Sequence, residues 1–138
     1  MAAPLIHIFS ATIKEGQLEG FKKYAQEHAE FTEAKHPRLL AFHYYVNEDG
    51  NKVSVVQVHP DADSMEFHMQ EVVAQHGVQA YQYLEEGSES SQIYGTPSDA
   101  ILDGLRQYGV SFSVKPDPLG GFTRLQAANP MEQAPEAR

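Results

Sequence analysis

Two strand-like segments joined by a short turn constrain the fold of this chain more than any other feature. Residues 39–46 (LLAFHYYV) and 52–59 (KVSVVQVH) are rich in the β-branched and aromatic side chains that strands favour. The five residues between them, Asn47-Glu48-Asp49-Gly50-Asn51, are typical of a turn, because Asp-Gly tolerates positive φ. The sequence therefore predicts an antiparallel hairpin near the middle of the chain.

Strand and helix patterns surround this hairpin. Residues 5–13 (LIHIFSATI) predict a buried strand, and residues 17–35 place apolar side chains at steps of three and four, as an amphipathic helix does. A second helix is predicted to open at Asp61 or Ser64 and to end at His76-Gly77. A further short helix is expected over 78–86, followed by a fourth strand over 88–94.

The predicted element order is β-α-β-β-α-β, the ferredoxin-like arrangement of an α+β protein. Its antiparallel sheet carries both helices on one face. The first and third strands are apolar on both sides, so the other face of the sheet also needs cover. The simplest cover is a second copy of the chain, which predicts a homodimer.

One domain is expected over residues 1–125, with a core unit at 5–94 and a helix-strand appendage at 95–125. Within the appendage, residues 100–108 predict a short helix. Residues 110–115 (VSFSVK) alternate as a half-buried fifth strand does. Residues 126–138, with two prolines, are predicted to be a disordered tail.

Charge and composition exclude several classes of partner. The formal net charge is −9, with 10 basic and 19 acidic residues, so no basic face is expected to bind nucleic acid. There are no cysteines, which excludes disulfides and thiolate catalysis. No apolar run is long enough to cross a bilayer, and no signal-peptide pattern opens the chain. A cytoplasmic protein without a membrane partner is the expectation.

Several local patterns resemble the antibiotic-biosynthesis-monooxygenase family of dimeric α/β barrels. Ile13-Lys14-Glu15-Gly16 is similar to the family's turn after the first strand, and Phe21 lies where its first helix carries an aromatic core residue. The best local match runs from Asp61 to His68, where the family has an acid, helix formers and a helix-borne histidine. The match spans about residues 5–94. It implies a ferredoxin-like dimer and oxidation of quinols or anthrones without any cofactor.

The end of the third strand departs from the family pattern. Many members carry Glu-x-Trp there, whereas this chain has Gln57 and His59 and no tryptophan at all. The haem-degrading branch uses that tryptophan, so haem degradation is disfavoured.

Histidine is the one unusual component, with seven in 138 residues. A histidine can take a proton near neutral pH, because its ordinary pKa is about 6.5. Strands alternate their side chains, so His43 pairs with Tyr45 on one face of the second strand, and Gln57 with His59 on one face of the third. His36 and His76 are interpreted as structural cations at helix ends. The candidate catalytic residues are His59, His68 and His28, the candidate ligand-binding residues are His7, His43, Tyr45 and Gln57, and no metal site is predicted.

Each of these histidines also has a structural interpretation, as a core, cap or packing residue, so whether the chain is an enzyme stays open. One hypothesis is a cofactor-free monooxygenase in which a histidine removes a proton from a small aromatic quinol and the anion reacts with oxygen. The alternative is a non-catalytic dimeric module that binds a small hydrophobic or aromatic molecule or scaffolds a partner.

Overall fold

The computed structural model describes residues 3–124. The chain forms five strands and three α-helices, with a π-helical segment at His68–Val73 and a 3-10 helix at Gly77–Gln82. The strands are β1 (Leu5–Thr12), β2 (Ala41–Val46), β3 (Lys52–His59), β4 (Ser90–Tyr94) and β5 (Ser111–Lys115), and the helices are α1 (Leu18–Lys35), α2 (Ala62–Phe67) and α3 (Asp99–Gln107).

The five strands form one sheet in the order β2-β3-β1-β4-β5. All pairs are antiparallel except β4 with β5. The predicted hairpin is confirmed: Val46 pairs with Val53, and Gly50 takes a positive φ of 73°. The Asn47 side chain accepts hydrogen bonds from the backbone N–H groups of Asn51 and Lys52, which fixes the turn. The predicted α+β, ferredoxin-like fold is confirmed.

The helical layer lies on one face of the sheet. β3 alternates buried and half-buried residues along its length, with Val53, Val55, Gln57 and His59 facing the helices. The register of β1 with β3 pairs Ile8 with Val56 on the opposite face, where no helix within residues 3–124 covers them. One sheet face is therefore packed, and the other is open, with apolar side chains at its centre and polar ones such as Ser10, Ser54 and His43 around them.

The second helix departs from the prediction of a single helix ending at His76-Gly77. α2 begins as predicted, since Asp61 caps it by accepting a hydrogen bond from the Ser64 N–H at 3.0 Å. At His68 the α-helical turns give way to the π-helical segment, and the expected helix over 78–86 is the shorter 3-10 helix. An apolar stripe marks which face is buried, but it does not distinguish π-helical from α-helical hydrogen bonding.

The appendage packs as an extension of the same core. Ser98 caps α3 through the Ile101 N–H, and Ile101 and Leu105 are buried beside Met65 and Leu5. β5 then adds to the sheet edge along β4. The tail predicted to be disordered, residues 126–138, lies outside the described residues. Within residues 3–124, none of the helices combines the length and the apolar character that crossing a bilayer requires.

Candidate functional site

A cavity of about 100 Å³ lies between the sheet and the helical layer. Most of its wall is aromatic or aliphatic. The ring of Tyr108 lines the cavity and is also 37% exposed, so the cavity adjoins the surface on that side. Its aromatic lining residues are Phe9, Tyr24, Phe42, Tyr44, Tyr81 and Tyr108.

Besides the tyrosine hydroxyls, four polar side chains interrupt this apolar wall, and all four are buried: His7, His28, Gln57 and His68. They come from β1, α1, β3 and the start of the π-helical segment. His7 and Gln57 are neighbours by register, since they pair across β1 and β3. The cavity is thus an aromatic pocket with a few buried polar groups, the usual composition of a small-molecule site.

His68 presents a free ring nitrogen to this cavity. Its Nδ1 lies 3.3 Å from Nδ1 of His36, while Nε2 has no hydrogen-bond partner among the described residues. Within residues 3–124, the fully enclosed side-chain atoms without a partner are His7 Nδ1 and Thr32 Oγ1. His68 Nε2 is not among them, so it faces open space. Because His68 is only 2% exposed and lines the cavity, that space is the cavity. Burial, and then the neighbouring imidazoles, lower the pKa of His68 well below its usual range.

Gln57 offers the complementary group. Its Oε1 lies 3.0 Å from His59 Nε2, and its side chain also interacts with His7, raising the pKa of that ring against the larger effect of burial. Gln57 lines the cavity together with His68. An imidazole and a side-chain amide thus line one pocket.

His59 lies behind the cavity wall. It is 0% exposed and does not line the cavity. Its Nδ1 lies 2.9 Å from Ser64 Oγ, and the same hydroxyl lies 3.1 Å from His36 Nε2. Burial is the main cause that lowers the pKa of His59 to about 3, so the ring is neutral at ordinary pH.

His7 has one satisfied and one unsatisfied nitrogen. Nε2 lies 2.8 Å from Ser91 Oγ, whereas Nδ1 is buried with no partner among the described residues. Burial lowers the pKa of His7 to about 4. An unpaired buried nitrogen on a cavity-lining residue is costly unless a bound molecule satisfies it.

His28 lies on the helix side of the cavity and pairs with His76. The two Nδ1 atoms are 2.8 Å apart, and the rings are nearly parallel to each other and to the ring of Tyr24. Burial and then the adjacent His76 lower the pKa of His28 to about 4.

The structure brings four of the seven candidates to this cavity: His7, His28, Gln57 and His68. It does not bring His43 and Tyr45 there, because Phe42 pairs with Gln57 and strand alternation turns His43 and Tyr45 to the opposite face. His43 is exposed, as is Tyr45. Gln57 and His59 share a face, as predicted, but only Gln57 reaches the cavity.

Sequence reasoning missed His36 and Ser64. The interpretation of His36 as a helix-end cation is wrong, because the ring is 3% exposed and burial, followed by Arg38, lowers its pKa. Its partners lie 28 and 32 residues away, so no local pattern marks them. Among residues 3–124, no three His, Asp or Glu side chains converge in a geometry that could hold a metal ion.

The sheet order, the helices on one face and the buried pocket between them define a ferredoxin-like α+β protein with an internal cavity. Solved structures share this fold. MupZ from Pseudomonas fluorescens is 20% identical with a TM-score of 0.65, over 89% of this chain and 96% of that one. A protein named antibiotic biosynthesis monooxygenase is 16% identical with a TM-score of 0.58, over 68% of this chain and 99% of that one. A conserved protein from Methanosarcina mazei is 13% identical with a TM-score of 0.59, over 67% of this chain and 91% of that one.

These likenesses confirm the resemblance in fold that the sequence predicted; at such low identity they establish the fold alone. The coverage of MupZ, 89% of 138 residues, exceeds the core unit at 5–94 and therefore extends into the appendage. No protein-family model matches the sequence, and no curated protein is significantly similar to it.

Proposed function

We propose that this protein is a cofactor-independent monooxygenase that deprotonates a small phenol or quinol with His68 and lets the anion react with oxygen. The observation that carries the proposal is that His68, whose Nε2 has no partner among the described residues, and Gln57 line one aromatic cavity. A phenolic hydroxyl donates its proton to the first, and the resulting oxyanion accepts a hydrogen bond from the second.

The size of the cavity excludes a substrate larger than a single ring. Its volume is about 100 Å³, and an engineered apolar cavity of about 150 Å³ in another protein holds benzene. Phe42 lies next to both polar sides of the pocket, with ring centroids 5.7 Å from His28 and 5.7 Å from His68. A flat ring seated on Phe42 therefore reaches a histidine at either end.

The proposed reaction balances with oxygen as the only co-reactant. His68 takes the phenolic proton, and the electron-rich anion gives one electron to O₂ and recombines through a ring carbon to form a C–O bond. His68 returns its proton to the peroxide. Loss of water breaks the O–O bond and the C–H bond of the same ring carbon and leaves a carbonyl, so one oxygen atom enters the product and the other leaves as water with that hydrogen. General-base assistance of this kind contributes about 10²–10⁴-fold to rate.

Oxygen consumption with a panel of single-ring quinols and phenols tests the proposal. The wild type is expected to consume oxygen above the autoxidation rate, and His68→Gln to lose about 100-fold or more of the rate. Lys22→Gln changes an exposed residue on the outer side of α1 and is the control, with an unchanged rate. No enzymatic uptake, or full activity in His68→Gln, would contradict the proposal.

The small size of the cavity favours a second candidate, the non-catalytic ligand-binding module. Drug-sized ligands occupy pockets of about 300–1,000 Å³, and side chains fill most of the space between this sheet and its helices. Saturable binding of a single-ring phenol with no oxygen uptake would identify such a module.

We also propose that the protein is a homodimer and that core and appendage form one domain. The open sheet face, with Ile8 and Val56 at its centre, is the surface that a second copy covers. Leu105, Tyr108 and Val110 of the appendage form part of the cavity wall, which supports counting the appendage with the core unit.

A further inference from the structure

Five buried side chains form one continuous hydrogen-bonded chain behind the cavity. It begins at Gln57 Oε1, which lies 3.0 Å from His59 Nε2. His59 Nδ1 lies 2.9 Å from Ser64 Oγ, and that hydroxyl lies 3.1 Å from His36 Nε2. His36 Nδ1 lies 3.3 Å from His68 Nδ1, and His68 opens onto the cavity.

The donor at every step follows from the first acceptor. Gln57 Oε1 can only accept, so His59 Nε2 carries a hydrogen. A neutral imidazole has one N–H, which leaves His59 Nδ1 to accept from the Ser64 hydroxyl. The Ser64 hydroxyl donates its one hydrogen to His59 Nδ1, so Ser64 Oγ accepts a hydrogen bond from His36 Nε2.

The same logic continues to the cavity. His36 donates through Nε2, so its Nδ1 accepts from His68 Nδ1–H. His68 then has no hydrogen on Nε2, and a lone pair points into the cavity. All three imidazoles are neutral in this resting chain, because burial is the leading cause that lowers the pKa of His36, His59 and His68.

We propose that this chain is a proton relay that holds His68 in the base tautomer and carries the proton it accepts through His36 and Ser64 to His59. The relay rests on the proposed function, because a ligand hydroxyl must supply the proton. When Nε2 of His68 takes that proton, its Nδ1 proton passes to His36 Nδ1. The Nε2 proton of His36 then passes to Ser64 Oγ, and the Ser64 hydroxyl proton passes to His59 Nδ1.

One proton enters, each intermediate group gives one and receives one, and the positive charge ends on His59. Two groups favour that endpoint. Gln57 Oε1 already accepts from His59 Nε2, and a hydrogen bond from a charged donor is about twice as strong as a neutral one. The carboxylate of Asp61 also favours the protonated form of His59, whereas burial and then the imidazoles of His7 and His36 oppose it and have the larger effect on its pKa. His36 and Ser64 do not line the cavity, so they are positioning residues that act through His68.

Long-range ¹H–¹⁵N NMR of the resting protein, which reports which imidazole nitrogen bears hydrogen, tests the chain directly. Hydrogen is expected on Nε2 of His59, on Nε2 of His36 and on Nδ1 of His68. If the Gln57 amide instead donated to His59, every direction would reverse and His68 would carry its hydrogen on Nε2. Finding His68 in that Nε2–H tautomer overturns the relay.

Two serine variants separate the chain from general packing. Ser64→Ala breaks the chain between His36 and His59, so His68 is expected to become a mixture of tautomers. Ser91→Ala removes an equally buried hydroxyl that also bonds a cavity histidine, His7, but lies outside the chain. His68 is expected to stay in the Nδ1–H tautomer in Ser91→Ala. A single Nδ1–H tautomer in Ser64→Ala would contradict the relay.

Para-nitrophenol, whose phenolate is coloured, completes the test with a probe that need not turn over. The wild type is expected to bind it as phenolate, with the doubly protonated ring found at His59. Phenolate formed with the second proton still on His68 overturns the relay and leaves the proposed function standing. Failure to ionise the phenol overturns the proposed function and the relay with it, whatever the resting tautomers.

Discussion

The Nδ1 atoms of His28 and His76 lie 2.8 Å apart, with ring planes within 13° of each other. One nitrogen must donate and the other must accept, so the close pair holds a single hydrogen between them. The pair joins α1 to the start of the 3-10 helix, and Tyr24 reinforces the junction by donating to the carbonyl of Gly77 at 3.1 Å. This junction closes the helix side of the cavity.

Replacing one member of the pair is expected to cost more than replacing both. His76→Phe keeps the stack with Tyr24 and Phe31 but leaves His28 Nδ1 buried without a partner, at a cost of about 1–3 kcal/mol. In His28→Phe/His76→Phe no unpaired nitrogen remains. Urea denaturation of the four proteins should therefore give a loss in the double variant smaller than the sum of the single losses. Additive losses would show that the two rings do not interact.

The protein is expected to lose stability steeply as the pH falls below neutral. The pKa of His7 and of His28 is about 4 and that of His59 about 3, each lowered mainly by burial from 6.5. The unfolded chain therefore binds more protons than the folded protein below about pH 6.5. The stability these rings contribute is complete above that pH and is lost as the pH falls toward their folded values.

Together the three rings predict a loss of about 4 kcal/mol in the free energy of unfolding between about pH 7.5 and about pH 5.5. Chemical denaturation at several pH values measures the slope. A free energy of unfolding that is flat across this range would mean that the buried rings titrate normally.

The sequence predicts this fold well where the signal is local. The turn at Asn47–Asn51 and the alternation along β3 depend on neighbouring residues, and both are confirmed. The face of each strand depends on register across the sheet, which is why His43 and Tyr45 were grouped with a pocket that they do not line. The link between His36 and His68 depends on how α1 ends against the π-helical segment, and neither feature has a recognisable residue pattern.

A charge on the open face of the sheet is expected to convert the dimer to a monomer. Ile8 and Val56 pair at its centre, and Val56→Lys would bury an ammonium group without a partner if the faces still met. Sedimentation velocity should find the wild type as a dimer and Val56→Lys as a folded monomer. Val78→Lys is the control, because Val78 is 36% exposed on the 3-10 helix, in the helical layer on the other side of the sheet. This variant should remain dimeric. A monomeric wild type would contradict the dimer outright.

Gly104→Ala is expected to reshape the cavity with little change in stability. A Cβ at position 104 on α3 would lie 2.5 Å from the Met69 Cε and 3.7 Å from its Sδ. Met69 lines the cavity and also lies against Gly104, so its flexible side chain must move away from position 104 and into that space. The gain of about 1 kcal/mol in helix propensity offsets the repacking.

The variant should bind a single-ring phenol about 10-fold more weakly, equivalent to about 1.4 kcal/mol, while its melting temperature stays within a few degrees of the wild type. Gly104→Ala/Met69→Ala removes the displaced atoms and should recover the lost affinity. Calorimetric titration of both variants with the same phenol makes the comparison. The cavity has a volume of about 100 Å³, so a Met69 side chain that moves into it must weaken the binding of a ligand there. Unchanged affinity in Gly104→Ala would therefore show that the ligand binds away from Met69.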